Sequence, residues 1–97
     1  SEWSQLTPAV SPSPRRYVGM TFDPIRDVVL LFGGQGPAAA DRYSDTWALD
    51  GDTWTKLSSG GPTGRYMPSF TFDTVHQQGV MFGGWDGTYN GETWIFE

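Results

Sequence analysis

The run Val28-Val29-Leu30-Leu31-Phe32-Gly33-Gly34 returns in shortened form as Val80-Met81-Phe82-Gly83-Gly84, placing two Phe-Gly-Gly triplets 50 residues apart in a chain of 97. A strand that recurs at such a distance marks a chain built from two like units, and that repeat constrains the fold more than any other feature. A short apolar run closed by turn residues suits a strand buried on both faces, since Val, Leu, Met and Phe leave no polar side for water. The paired glycines let it stop sharply, because a residue without Cβ takes positive φ and admits another backbone at close range.

The rest of the chain repeats with the same spacing. Trp3 and Leu6 match Trp54 and Leu57 at an offset of 51, Arg16-Tyr17 match Arg65-Tyr66 at 49, Thr21-Phe22-Asp23 match Thr71-Phe72-Asp73 at 50, and Asp45-Thr46-Trp47 match Glu92-Thr93-Trp94 at 47. The drift falls in Gly- and Pro-bearing connections, where insertions cost least. Each unit is expected to be an antiparallel meander. In the first, strands are predicted over about Tyr17 to Asp23, Val28 to Phe32, Asp45 to Leu49 and Thr53 to Leu57, with Asp50-Gly51-Asp52 as a hairpin signal between the last two. In the second, they are predicted over about Tyr66 to Asp73, Gly79 to Phe82 and Glu92 to Phe96. Pro68 is tolerated near the start of an innermost strand, which has no ladder partner on that edge. No helical periodicity is present, so the fold class is all-β.

These residues resemble kelch repeats, the four-stranded blades of a β-propeller, in two copies that cover essentially the whole chain. The pattern is a hydrophobic run into Gly-Gly, an aromatic at Trp47 or Trp94 and a later Trp at Trp54 or Trp3, with a period close to the about 50 residues of that family. Trp47 and Trp94 stand where kelch repeats more often carry Tyr, as in the Asp-Thr-Trp variant of bacterial kelch proteins. A WD40 assignment fits less well, since Trp85-Asp86 occurs once and the period is too long. The resemblance implies a two-blade unit over 1–97. Residues 16–57 are the first blade, 65–97 a second blade without its own outer strand, and 1–6 an outer strand that closes the last blade of a neighbouring copy.

Two blades cannot close a ring, and propellers of four to eight are the norm. Val28, Leu30, Phe32, Val80 and Phe82 would otherwise leave bare apolar faces, and the strand at 92–96 an open edge. Copies joined head to tail remove both problems, because a heterologous contact that rotates to closure gives a ring. The expected partner is therefore the chain itself, a homotrimer of six blades, with a dimer of four or a tetramer of eight as alternatives. Trp3, Leu6, Trp94 and Phe96 would carry the strand exchange. A rival view is an engineered or excised propeller piece with no role beyond assembly.

A net charge of -5 with only six scattered Lys and Arg argues against a nucleic-acid partner. No run of 18 apolar residues offers a membrane span and no export-signal pattern is present, so the chain reads as soluble. The absence of Cys excludes disulfides, thiolate catalysis and the cross-linked Cys of copper-radical oxidases on kelch blades. No cofactor and no metal are expected. His76 stands without a second ligand, and the acidic turns fit no EF-hand loop. No Asp box and no nucleophile elbow is present, so no catalytic residue is assigned.

Binding is expected on the face carrying the long loops at 35–44 and 85–91, beside 7–15 and 58–64. Trp85, Asp86, Tyr89 and Asn90 combine an aromatic plane with polar groups suited to sugar rings or peptide side chains, against a simpler role in packing the loop. Arg16 and Arg65 would line the channel with positive charge, or else pair with carboxylates or loop carbonyls in a neighbouring blade. Gln35, Arg42 and Tyr43 complete the candidates. The expected function is a non-catalytic scaffold binding a protein or other ligand, with a lectin-like or carbohydrate-active propeller as the alternative.

Overall fold

The computed structural model describes residues 2–58 and 60–97. Ser1 and Ser59, which the repeat places in the segment 1–6 and the loop 58–64, lie outside the described residues. The fold is all-β, with seven strands in two antiparallel sheets and no helix among the described residues. Sheet 1 has the order β1-β2-β3-β4, with β1 Gly19–Asp23, β2 Val28–Phe32, β3 Thr46–Asp50 and β4 Thr53–Ser58. Sheet 2 has the order β5-β6-β7, with β5 Ser69–Asp73, β6 Gln78–Phe82 and β7 Thr93–Phe96.

The two sheets share one register. Gly19 faces Phe32 as Ser69 faces Phe82, Asp23 faces Val28 as Asp73 faces Gln78, and Phe32 faces Thr46 as Phe82 faces Thr93. The turns are built alike. The Asp23 carboxylate accepts hydrogen bonds from the amides of Ile25 and Arg26, and the Asp73 carboxylate from those of Val75 and His76. Such Asx turns stabilise the loop without help from the strands. The β3–β4 hairpin turns on Gly51 at φ +62°, as its Asp-Gly-Asp signature implies.

Both inner strands start later than the sequence suggests, β1 at Gly19 rather than near Tyr17 and β5 at Ser69 rather than near Tyr66. The cause is a backbone reversal at Tyr17 (φ +61°) and Met67 (φ +60°), which leaves the extended region. This conformation turns the Tyr17 carbonyl toward sheet 2, where the Met67 amide donates to it at 2.7 Å.

Sheets 1 and 2 lie face to face through their inner strands. A Cβ on Gly19 would lie 3.1 Å from the Pro68 ring and 3.2 Å from Phe70, so any larger residue there would push these side chains back by a few tenths of an ångström. Because opposed residues share a face, Gly19, Leu30, Phe32, Thr46 and Ala48 point toward sheet 2, and Phe70, Met81, Trp94 and Phe96 point back toward sheet 1. The core sits between them around Leu30, Phe32 and Met81.

Candidate interface and loop site

Three backbone hydrogen bonds tie the sheets together at their loop end. The Gly34 amide donates to the Arg65 carbonyl (2.9 Å), the Arg65 amide to the Tyr43 carbonyl (3.2 Å), and the Met67 amide to the Tyr17 carbonyl. Gly33 makes the approach feasible, since a Cβ there would fall 2.5 Å from the Arg65 carbonyl oxygen. By the register of the repeat, the counterparts on the outer side of sheet 2 are the Gly84 amide and the Asn90 and Met67 carbonyls. On the outer side of sheet 1 they are the Arg15 carbonyl and amide and the Tyr17 amide. None of these six groups has a backbone partner among the described residues.

Arg65, wholly buried, spans its own sheet. Its guanidinium donates to the carbonyls of Thr63 and Gly83, to the Thr63 hydroxyl and to Glu92 Oε1 at 3.1 Å. Its geometric counterpart is Arg15 rather than Arg16. Arg15 donates to the carbonyls of Ser13 and Gly33, to the Ser13 hydroxyl and to both oxygens of Asp45, at 2.6 and 3.1 Å. The Arg-Tyr match at an offset of 49 was thus one residue out of step. An offset of 50, already fixed by Thr21-Phe22-Asp23, pairs Arg15 with Arg65 and was the available signal.

Arg15 and Arg65 thus each bond a carboxylate and loop carbonyls of their own sheet rather than of a neighbouring one. Arg15 also lies 4.0 Å over the Tyr43 ring. Asp45 and Glu92 each accept from the indole two residues on, Trp47 at 2.8 Å and Trp94 at 3.0 Å. Burial raises the Asp45 pKa, but the bonds from Arg15 and Trp47 lower it more, leaving it below its ordinary value. Glu92 is likewise held low, by Trp94 and then by Arg65.

Arg16 is the exposed member of its doublet. Its Nε donates to Gln35 Oε1 at 3.0 Å and its guanidinium lies 4.6 Å from the Tyr17 ring centre, while buried Gln35 reaches back to the Ala39 carbonyl. Arg42 is exposed, and its guanidinium extends to within 3.5 Å of where a Cβ on Gly87 would lie, bridging the loops of the two sheets. Trp85 and Tyr89 meet edge to face at 5.0 Å, with the Tyr89 ring open to solvent. The polar atoms beside them are engaged. Asp86 accepts from Asn90, Thr63 and the amide and hydroxyl of Thr88, and Asn90 Oδ1 accepts from the Glu92 amide. Asn90 and then Thr63 hold the Asp86 carboxyl below its ordinary value.

Of the strand-exchange residues, Trp94 and Phe96 lie on β7, whose outer edge carries no partner strand among the described residues. Trp3 and Leu6 are exposed and belong to no strand. Among the described residues no three His, Asp or Glu side chains gather to hold a metal, and no helix is long and apolar enough to cross a membrane. Comparison with protein-family models and with curated proteins finds no match to this chain.

Proposed function

We propose that this chain is a two-blade unit of a kelch-type propeller that closes its ring with further copies of itself, three copies giving six blades. The ring acts as a non-catalytic scaffold that presents its loop end to a protein or sugar ligand. The observation that carries this reading is the match between the two outer faces. The free Gly84 amide and the free Asn90 and Met67 carbonyls on one side complement the free Arg15 carbonyl and the Arg15 and Tyr17 amides on the other. They are the same three pairs, by position, that join sheets 1 and 2. A second copy brings the counterpart of every group that the first leaves open, and unpaired backbone groups are costly to bury in any other contact.

The apolar side chains follow the same logic, since Met20 and Phe22 on one outer face and Phe82 and Ile95 on the other stand exposed. Molar mass in solution, by light scattering or native mass spectrometry, tests the ring. Three times the chain mass at micromolar concentration is expected. Two or four times keeps the closure with four or eight blades, and a compact monomer at all concentrations overturns it.

At the loop end, the solvent-facing Tyr89 ring beside Trp85 favours a planar or aromatic contact, as a sugar or peptide side chain would make. A glycan array separates the two ligand classes, with no sugar retained at millimolar concentration discarding the lectin-like alternative.

A further inference from the structure

Antiparallel pairing continues past the sheets into the loops. In sheet 1 the isolated bridges Arg16–Gln35 and Gln35–Arg42 set three side chains in a row on one face, and in sheet 2 Tyr66–Trp85 and Trp85–Tyr89 make the same row. One unit carries Arg-Gln-Arg there and the other Tyr-Trp-Tyr, so the fold itself does not call for arginine at these positions. Arg15 and Arg65, by contrast, recur and are spent on their own sheets. Of the five arginines, Arg15, Arg26 and Arg65 each bond a carboxylate, at 2.6, 2.7 and 3.1 Å. Arg16 and Arg42 bond none among the described residues, in a chain whose net charge is -5. Asp41, the one acid of their loop, turns its carboxylate to the Ala38 amide at 3.0 Å.

Arg16 is nevertheless held in place. Its Nε is fixed on Gln35 Oε1, buried Gln35 is anchored in turn on the Ala39 carbonyl, and the guanidinium lies 4.6 Å from the Tyr17 ring centre. With Pro14, Arg15, Gln35, Gly36, Pro37 and Ala39 it lines an open cleft of about 430 Å³. We infer that this cleft is a subsite for the carboxylate group of a ligand, taken by Arg16. With Nε engaged, the end-on pair Nη1 and Nη2 remains without a partner among the described residues, and its two parallel donors match the two oxygens of a carboxylate. An exposed ion pair usually gains little because a long side chain must first be ordered. Here Gln35 has already ordered it, so that cost is met before the ligand arrives. Arg42, on the far side of Gln35, adds a second positive charge, and its guanidinium extends toward Gly87 in the loop that carries Trp85 and Tyr89. The cationic row thus ends where the aromatic row begins. A sugar acid and an acidic peptide side chain share the group that Arg16 recognises. The inference rests on the loop-end reading above and is independent of ring closure.

Calorimetric titration with glucuronate and with an acetylated glutamyl-tyrosine amide tests it, each against its neutral twin, glucose and the glutaminyl-tyrosine amide. At least one acid is expected to bind at low ionic strength and to weaken as salt rises, while its neutral twin does not bind. Binding of glucuronate alone points to a sugar acid as the source, and of the peptide alone to an acidic chain. Arg16→Ala should weaken the bound acid roughly tenfold to a hundredfold, the scale of a bidentate charge-assisted pair, and Arg42→Ala a few-fold. Arg16→Lys keeps the charge without the fork and should stay nearer to Arg16→Ala than to wild type. The Arg16 side chain is exposed and hydrogen-bonds only Gln35 among the described residues, so these variants stay folded, as far-ultraviolet circular dichroism verifies. If neither acid binds at millimolar concentration, if a neutral twin binds as tightly as its acid, or if Arg16→Ala or Arg16→Lys binds like wild type, the inference fails. A neutral glycan retained on the array alongside any of those results leaves the loop-end reading standing. A blank array takes that reading down with the inference, and the ring is judged separately by its mass.

Discussion

Phe32 and Phe82 hold the same place in their sheets, each facing a residue of the inner strand and a threonine of the third strand, yet Phe32 is 2% exposed and Phe82 54%. Ala48 and Ile95, the next pair outward on the same faces, are 7% and 52% exposed. Local sequence does not set this difference, since both phenylalanines close an apolar strand before Gly-Gly. Sheet 2 covers the face of sheet 1 that holds Phe32, and nothing among the described residues covers the corresponding face of sheet 2. Burial here is a property of the neighbour, so the uncovered face measures what a neighbour would contribute.

Truncating each phenylalanine turns that contrast into the largest expected effect. Phe32→Ala removes a fully covered ring and should cost about 3–5 kcal/mol in urea unfolding, the range for a buried Phe. Phe82→Ala, measured on the dilute monomer, should cost less than about 1 kcal/mol, because most of its surface is already in water. If copies associate as proposed, raising the concentration should bring the second loss toward the first. Equal losses in the dilute chain would mean that Phe82 is covered from within.

The glycine pairs sharpen the same comparison at the backbone. Gly33 and Gly83 both stand in the left-handed region, at φ +69° and +76°, so either alanine carries a strain of about 1 kcal/mol. At Gly33 the new Cβ would also strike the Arg65 carbonyl at 2.5 Å, whereas at Gly83 the nearest atom is the Asn90 carbonyl oxygen at 3.3 Å. Gly33→Ala should therefore lose about 3 kcal/mol in thermal melts and Gly83→Ala about 1 kcal/mol. In a ring, the Arg15 carbonyl of the next copy would meet Gly83 as Arg65 meets Gly33, so Gly83→Ala should remain folded while its mass falls to that of one chain. A Gly83→Ala protein that assembles normally would break the equivalence of the two junctions.

Strand content was legible wherever it depends on neighbours in sequence. The apolar run at 28–32 gives β2 with both bounds as expected, and Asp50-Gly51-Asp52 marks the β3–β4 hairpin. The starts of β1 and β5 were not legible, because the positive φ of Tyr17 and Met67 has no local signature. For Tyr17, the reason is a carbonyl aimed at the other sheet. Arg15 was hidden for a related reason. In an Arg-Arg doublet only the geometry of the Gly33 carbonyl and Asp45 decides which member turns inward. At the loop end, Trp85 and Tyr89 were recognisable as an aromatic pair, but that Asp86 and Asn90 spend their polar atoms on Thr63, Thr88 and Glu92 depends on a loop conformation that spacing alone does not encode.

The turn carboxylates give the smallest contrast. Asp23 is fully buried. Burial raises its pKa, but the Arg26 amide and guanidinium and the Ile25 amide outweigh that, so its pKa lies below the ordinary value of 3.8. Asp73 has the same turn with His76 in place of Arg26. It too is lowered, chiefly by the His76 ring at 2.7 Å, then by the His76 amide. A carboxylate whose folded pKa lies below its unfolded one stabilises the fold above the unfolded value and ceases to as pH falls through the folded value. Asp45, Asp86 and Glu92 are shifted the same way, so unfolding free energy should stay level from neutral pH down to the ordinary carboxylate range and then decline. Asp23→Asn should flatten that acid decline more than Asp73→Asn, because water screens the buried carboxylate less than the one in the open turn. Denaturant melts across an acid series check the order. Equal flattening by both variants would mean that covering the turn adds nothing to its electrostatics, and that the two sheets differ only in apolar burial.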